Sequence, residues 1–156
     1  MGADDGRQTG RRSLHQERVR RYQATNGREG AVWNGAPVLL LTTRGRRTGR
    51  LHTTPLVYGR DGERYLLVAS RRGADEHPQW YRNLTEHPEI EVQVLDITFR
   101  AMARTATDDE KPGLWQKMVE VWPEYDDYQA KTERVIPLVI VERLRPPRSG
   151  PPRGRG

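Results

Sequence analysis

The sequence predicts an α+β domain that is mainly β: about six antiparallel strands curled towards a barrel, with a few helices packed on it. Three observations predict this. Segments of β character succeed one another at hairpin spacing, and a tight-turn signal, "RDGE" at 60–63, separates two of them. Helical patterns interrupt the strands in only two places. With 156 residues, of which 34% are hydrophobic, the chain is one domain with a compact core.

The elements follow in order. Residues 1–12 mix Gly, Asp, Arg and Gln without period and are expected as a disordered lead. From Ser13 to about Asn26 a charged helix is expected, with Ser13 as N-cap and Leu14, Val19 and Tyr22 as sparse apolar positions. "PVLLLTT" (37–43) is the continuous apolar run of a buried strand. "LHTTPLVYG" resumes β character after an arginine-rich loop, and "ERYLLVAS" follows the turn centred on Asp61-Gly62. "EIEVQVL" alternates with Ile90, Val92 and Val94 inward. "ITFRAMART" places Ile97, Phe99, Ala101 and Ala103 on one side and Arg100 and Arg104 on the other. "VIPLVIVE" (135–142) is the last strand, its Pro137 suiting a strand edge or start.

Of the two interrupting helices, "HPQWYRNLTEH" has Pro78 in its first turn. The other begins at a Thr-x-x-Glu capping box, Thr107 to Glu110, ahead of Leu114, Met118, Val121 and Trp122, with Pro112 delaying its start by a turn. The tail "PPRSGPPRGRG" is expected to be disordered. The single domain is therefore expected over residues 13–142, followed by a Pro/Gly/Arg tail over 143–156.

Charge and composition narrow the function. The net charge is +6, but the tail from Arg143 supplies +5 and the loop Arg44–Arg50 supplies +4, leaving the rest of the chain at −3. A nucleic-acid-binding protein spreads its cations over a groove-sized face, so no nucleic-acid partner is expected. The absence of cysteine removes disulfides, thiolate nucleophiles and cysteine zinc sites. His15, His52, His77 and His87 lack helical ligand spacing, so no metal is expected. No signal peptide or membrane span is legible and a cytoplasmic location is expected, contact of the N-terminal helix with a membrane surface staying open. Monomer and homodimer are both open.

"TTRGRRTG" (42–49) concentrates cations between two strands, where they are held at one end of the sheet. Glycines free backbone N–H groups to approach an anion, and guanidinium groups grip phosphate or carboxylate oxygens in pairs. There is no Lys-Ser after Gly49, so this is not a P-loop. A second feature, "ASRRGADEHPQWYRNL" (69–84), is a strand end feeding a helix start, a common place for ligands. In a third, "WPEYDDYQAKTER", a helix would put Trp122, Tyr125 and Tyr128 on one face. Such a stripe is either core or, given Glu124, Asp126 and Asp127 between, a lid with phenols facing a ligand.

These three motifs, in this order over roughly residues 37–142, resemble the deazaflavin (F420)-dependent nitroreductase and quinone reductase family of actinobacteria. The resemblance implies a split β-barrel related to the flavin-binding split barrels. It implies hydride transfer from reduced coenzyme F420 to an electrophilic acceptor, most plausibly a quinone, with nitro compounds as alternatives. It further implies that Arg46, Arg47, Thr48, Gly49 and His52 hold the coenzyme's phosphate. Pro55, Val68, Ala69, Ser70 and Arg71 then line the deazaflavin ring, and Gln79, Trp80, Tyr81, Arg82 and Asn83 close another side. Trp122, Tyr125 and Tyr128 fall at the substrate pocket, with Ser70 and Tyr125 the catalytic candidates. Four positions depart from the family pattern: Arg47 stands for Lys, His52 for a basic Arg, Arg72 for a frequent Gly, and Val57 for an aromatic. Two alternatives keep the fold, an FMN-binding reductase and a non-catalytic F420 carrier; a third is RNA binding through the tail.

Overall fold

The computed structural model describes residues 3–145. The first two residues of the expected lead and the tail from 146 onward lie outside the described residues. The chain runs α1 (Ala3–Thr25), β1 (Val32–Trp33), β2 (Ala36–Arg44), β3 (Leu51–Val57), β4 (Gly59–Asp61) and β5 (Arg64–Val68). It continues through α2 (Gln79–Glu86), β6 (Glu89–Val94), β7 (Ile97–Thr105), α3 (Lys111–Val121), α4 (Glu124–Ala130) and β8 (Leu138–Arg143). Among the described residues, no helix is long and apolar enough to cross a membrane.

Among the described residues eight strands replace the expected six, for two reasons. A two-residue strand, β1, pairs with the start of β2. The expected second strand also breaks at Tyr58, so that β3 pairs with β2 while β4 pairs with β5. That break closes the architecture. The remaining strands form the antiparallel path β2-β6-β7-β8-β5, and the bent segment Leu51–Asp61 spans its two ends. The result is the curled half-barrel that hairpin spacing predicts. The β4–β5 turn is shifted by one residue: Asp61 pairs with Arg64 across it, leaving Gly62-Glu63 as the loop. Gly62, at φ 63°, takes the positive φ that a two-residue hairpin demands.

Alternation assigns the core. On β2, Leu39 and Leu41 point into the barrel with Leu67, Val92, Phe99, Val139 and Val141. Val38 and Leu40, the intervening residues, point out against Tyr22 of α1. Likewise Leu66, Leu138 and Ile140 leave the barrel to meet Leu114, Met118 and Tyr125 of α3 and α4. Strands buried on both faces read as continuous apolar runs, which is why 37–43 and 138–141 carry no alternation. β6 and β7 are covered on one face and do alternate, with Ile90, Val92, Phe99, Ala101 and Ala103 buried. Ile97, expected inward, is half exposed at the strand's end.

Helix starts moved. α1 runs through Ser13, which therefore does not cap it; no proline breaks the preceding turns, and glycine costs a helix only about 1 kcal/mol. Pro78 is the residue before α2 rather than in its first turn. The capping box forms as expected, Thr107 N–H donating to Glu110 Oε1 (2.8 Å) and Glu110 N–H to Thr107 Oγ1 (3.2 Å), but it closes a turn ahead of α3. α3 begins at Lys111, with Pro112 in its first turn.

Candidate active site

Two hollows meet at Trp80 on the flank of the half-barrel. One, of about 490 Å³, lies between the β2–β3 turn and α2. The other, of about 720 Å³, is walled by β3, the end of β5, the α3–α4 joint and residues of α1 and β1.

The first hollow is built on the arginine turn. Gly45 N–H donates to Arg50 O (2.7 Å) and Gly49 N–H to Gly45 O (2.9 Å), with Gly49 at φ 75°. Thr48 Oγ1 accepts from Arg50 N–H at 3.2 Å. Asn83 on α2 is buried and fixes the turn from beneath: its Oδ1 accepts from Arg46 N–H (3.2 Å) and Arg46 Nη1 (3.0 Å), and its Nδ2 donates to Thr43 Oγ1 (3.2 Å). Arg46 is thus half committed to the protein. Arg47 is exposed, and the backbone N–H groups of Arg47 and Thr48 have no partner among the described residues. His52 and Gln79 complete this end.

The second hollow is aromatic. Trp80, Trp122, Tyr125 and Tyr128 line it, and Trp33 stacks on Trp122 with ring centroids 5.8 Å apart. Arg18 of α1 lies over Trp33 at 4.6 Å, and His15 Nε2 is 3.0 Å from Thr54 Oγ1, so α1 forms part of the rim. Ser70, only 9% exposed, and Tyr125, 6% exposed, both open into the hollow. Neither hydroxyl has a protein partner among the described residues. Both hydroxyls are therefore free to bond solvent or a ligand in the hollow. Burial pushes the Tyr125 phenol well above its ordinary pKa. The Tyr128 hydroxyl, also pushed up by burial, donates to Glu124 Oε1 at 2.9 Å.

Not every residue that the resemblance points to faces these hollows. Val68, Ser70, Arg71 and Pro55 line the aromatic one, together with Val57 and Arg72. Ala69 is fully buried and holds the strand end, its N–H bonded to Pro137 O (2.9 Å). Tyr81 turns to the barrel core and shares a hydrogen bond with Thr105 Oγ1 (2.8 Å). Arg82 lies beside Glu76 at 3.9 Å, and Gly49 serves the turn. Arg72 has φ 55° and follows Arg71 at 46°, the left-handed region that glycine enters without cost. A glycine at position 72 would take this backbone without that cost. Sequence reasoning missed Arg134, whose guanidinium reaches three backbone carbonyls of this loop, and His77 beside it. Within "KTER" nothing distinguishes that arginine from a solvated one.

The curled antiparallel half-barrel, with its basic turn and aromatic hollow, is the split-barrel fold of a family of oxidoreductases. The family model described as F420H(2)-dependent quinone reductase matches residues 14–143, and the chain belongs to that family. An F420H(2)-dependent quinone reductase of Mycobacterium tuberculosis is 41% identical over 126 residues, 78% of this chain and 85% of the relative. A solved F420-H2 dependent reductase (FDR-A) is 37% identical with TM-score 0.64, covering 68% of this chain and 94% of its own. A domain-swapped dimer of known structure is 34% identical with TM-score 0.66, covering 89% and 98%.

Proposed function

We propose that this chain transfers a hydride from reduced coenzyme F420 to a quinone, and that the two hollows divide the work. The observation that carries the reading is the pair of buried, unpartnered hydroxyls, Ser70 and Tyr125, in an aromatic hollow that meets a basic turn at Trp80. The residues present fit the coenzyme: phosphate at one end, a planar ring at the other. Bound there, the reduced deazaflavin supplies the hydride.

The chain supplies the rest. Arg47 and the Arg47 and Thr48 N–H groups hold the phosphate, with Arg46 fixed beside them by Asn83. Ser70 Oγ donates to a polar edge of the ring. Val68, Pro55 and Trp80 pack its faces and keep water out. The Tyr125 hydroxyl, kept protonated by burial, donates a hydrogen bond to the acceptor oxygen and stabilises charge developing there. The proton completing the hydroquinone comes from solvent at the open mouth of the hollow. Trp122 and Tyr128 orient the acceptor. All these groups come from one chain, so the reading needs no second copy. Leu14 is the one exposed large hydrophobic of α1 among the described residues, which leaves that helix little to bury in a lipid surface.

The test is a competition titration of the apoprotein with F420 and FMN, followed by turnover with a quinone panel. Tighter FMN binding would replace this reading with a flavin one, and F420 binding without quinone turnover would replace it with a carrier. Within the reading, Tyr125→Phe should lower kcat about 10- to 100-fold with little change in coenzyme Kd. Ser70→Ala should weaken the coenzyme about 10-fold.

A further inference from the structure

The loop after β5 is strained, and one arginine grips it at three carbonyls. Arg71, Arg72 and Gly73 have φ of 46°, 55° and 83°, three left-handed residues in succession. Two of them carry Cβ atoms, a conformation that L residues disfavour and that persists only where surroundings over-determine it. The loop's own backbone bonds close it, Gly73 N–H donating to Ser70 O (2.9 Å) and Ala74 N–H to Arg71 O (3.0 Å), and one side chain grips it from outside at three carbonyls. Arg134, on the segment between α4 and β8, donates through Nη2 to Ser70 O (2.7 Å), through Nη1 to Ala69 O (3.1 Å) and through Nε to Ala74 O (2.9 Å). The Nη1 group is also 2.9 Å from His77 Nδ1. Because a guanidinium only donates, His77 must present a bare Nδ1 here, so its ring is neutral with the proton on Nε2. Thr132 Oγ1 donates to Asp75 Oδ1 (3.0 Å), and a Cβ on Gly73 would lie 2.7 Å from Tyr128 O. The loop that bears Ser70 and the helix that bears Tyr125 are therefore one fastened piece.

We infer that Arg134 is a positioning residue: against a neutral His77 it holds the strained loop Ser70–Gly73 so that Ser70 and Arg71 face the ring end of the hollow. The inference rests on the reading of that hollow as the deazaflavin site. The groups facing His77 agree with it. Arg134 lies against it from the α4–β8 segment, Arg82 from α2, and the Tyr81 ring packs at 4.9 Å. Of the acids in this loop, Glu76 is engaged at 3.6 Å by Arg71 and 3.9 Å by Arg82, and Asp75, whose charge acts on Arg134, accepts from Thr132 Oγ1 at 3.0 Å. Burial first, then the Arg134 and Arg82 charges, hold the His77 pKa below its ordinary 6.5. A lowered imidazole pKa means that the clamp is intact above pH 6.5 and comes undone as acid protonates His77.

The experiment compares wild type with Arg134→Lys, Arg134→Ala and His77→Asn, whose Oδ1 replaces Nδ1 as an acceptor that cannot be protonated. The readouts are coenzyme Kd by fluorescence against pH, thermal midpoint, and kcat and KM with a quinone. Arg134→Lys should fold yet bind F420 at least 10-fold more weakly at pH 7.5, with KM for the quinone changing less than kcat. Millimolar guanidinium should restore much of the affinity of Arg134→Ala, where equal sodium chloride should not. Wild-type affinity should fall relative to His77→Asn as the pH is lowered below 6.5. If wild type binds F420 but neither Arg134 variant changes Kd, or His77→Asn tracks wild type at every pH, the inference is overturned. If wild type binds no F420, the reading of the hollow has failed instead, and NMR titration of His77 in apoprotein decides the clamp alone. Its pKa should rise towards 6.5 in Arg134→Ala, which removes the charge that Arg134→Lys would keep, and an unchanged pKa in Arg134→Ala would overturn the clamp.

Discussion

Arginine is put to three uses within one short stretch of surface. Arg47 is exposed with free N–H groups beside it, while Arg46 spends a guanidinium nitrogen on Asn83. Arg47→Ala should therefore be the clean probe of phosphate contact, costing about 2 kcal/mol or roughly 30-fold in F420 Kd with no loss of thermal stability. Arg46→Ala should lower both affinity and melting temperature, because it leaves the buried Asn83 Oδ1 short of a donor. Arg72 is the third use: its left-handed backbone costs more than the extra freedom glycine gives the unfolded chain. Arg72→Gly should raise stability by roughly 0.5–1 kcal/mol, measured by urea denaturation. A destabilised Arg72→Gly would mean that the side chain carries contacts outweighing its strain.

At the scale of elements, the helices are held by few, specific polar contacts. Tyr22 is the peg of α1: its hydroxyl donates to Val38 O (3.0 Å) and accepts from Leu95 N–H (2.9 Å). Tyr22→Phe keeps the packing but strands both groups, and should cost about 1–3 kcal/mol by denaturant titration. The turn before α3 is held by Glu110, which binds Arg104 through both oxygens (2.8 and 2.9 Å) as well as Thr107 N–H. These contacts hold the Glu110 pKa down at about 2, with Arg104 the largest cause. A lowered carboxylate pKa gives stability that is full above the ordinary 4.5 and lost as the pH falls through about 2. The melting difference between wild type and Glu110→Gln should therefore be constant near neutrality and shrink between pH 4.5 and 2. The capping box was legible in sequence because its spacing is local. The break at Tyr58 was not, since it depends on which strand each half of the segment meets.

Over the whole molecule outside the C-terminal tail, positive charge is concentrated at the site. The arginine turn carries +4 against a body of −3 outside it and the tail. F420 association should therefore slow as ionic strength rises, while dissociation changes little, a split that stopped-flow fluorescence separates. A salt-independent association rate would remove the turn from the binding path.

The sequence by itself determined the antiparallel sheet, the strands buried on both faces, the basic turn and the aromatic stripe. Each rests on residues close together in the chain, where periodicity and turn chemistry act. Only the tertiary structure decided that the bent segment Leu51–Asp61 joins the two ends of the sheet path, and that Tyr81 turns to the core while Trp80 lies at the meeting of the hollows. It also decided that Asn83 serves Arg46, and that Arg134 grips the loop of Ser70 from 64 positions away. Such pairings join groups remote in sequence, and a guanidinium's partners are chosen by whichever carbonyls the fold leaves without donors.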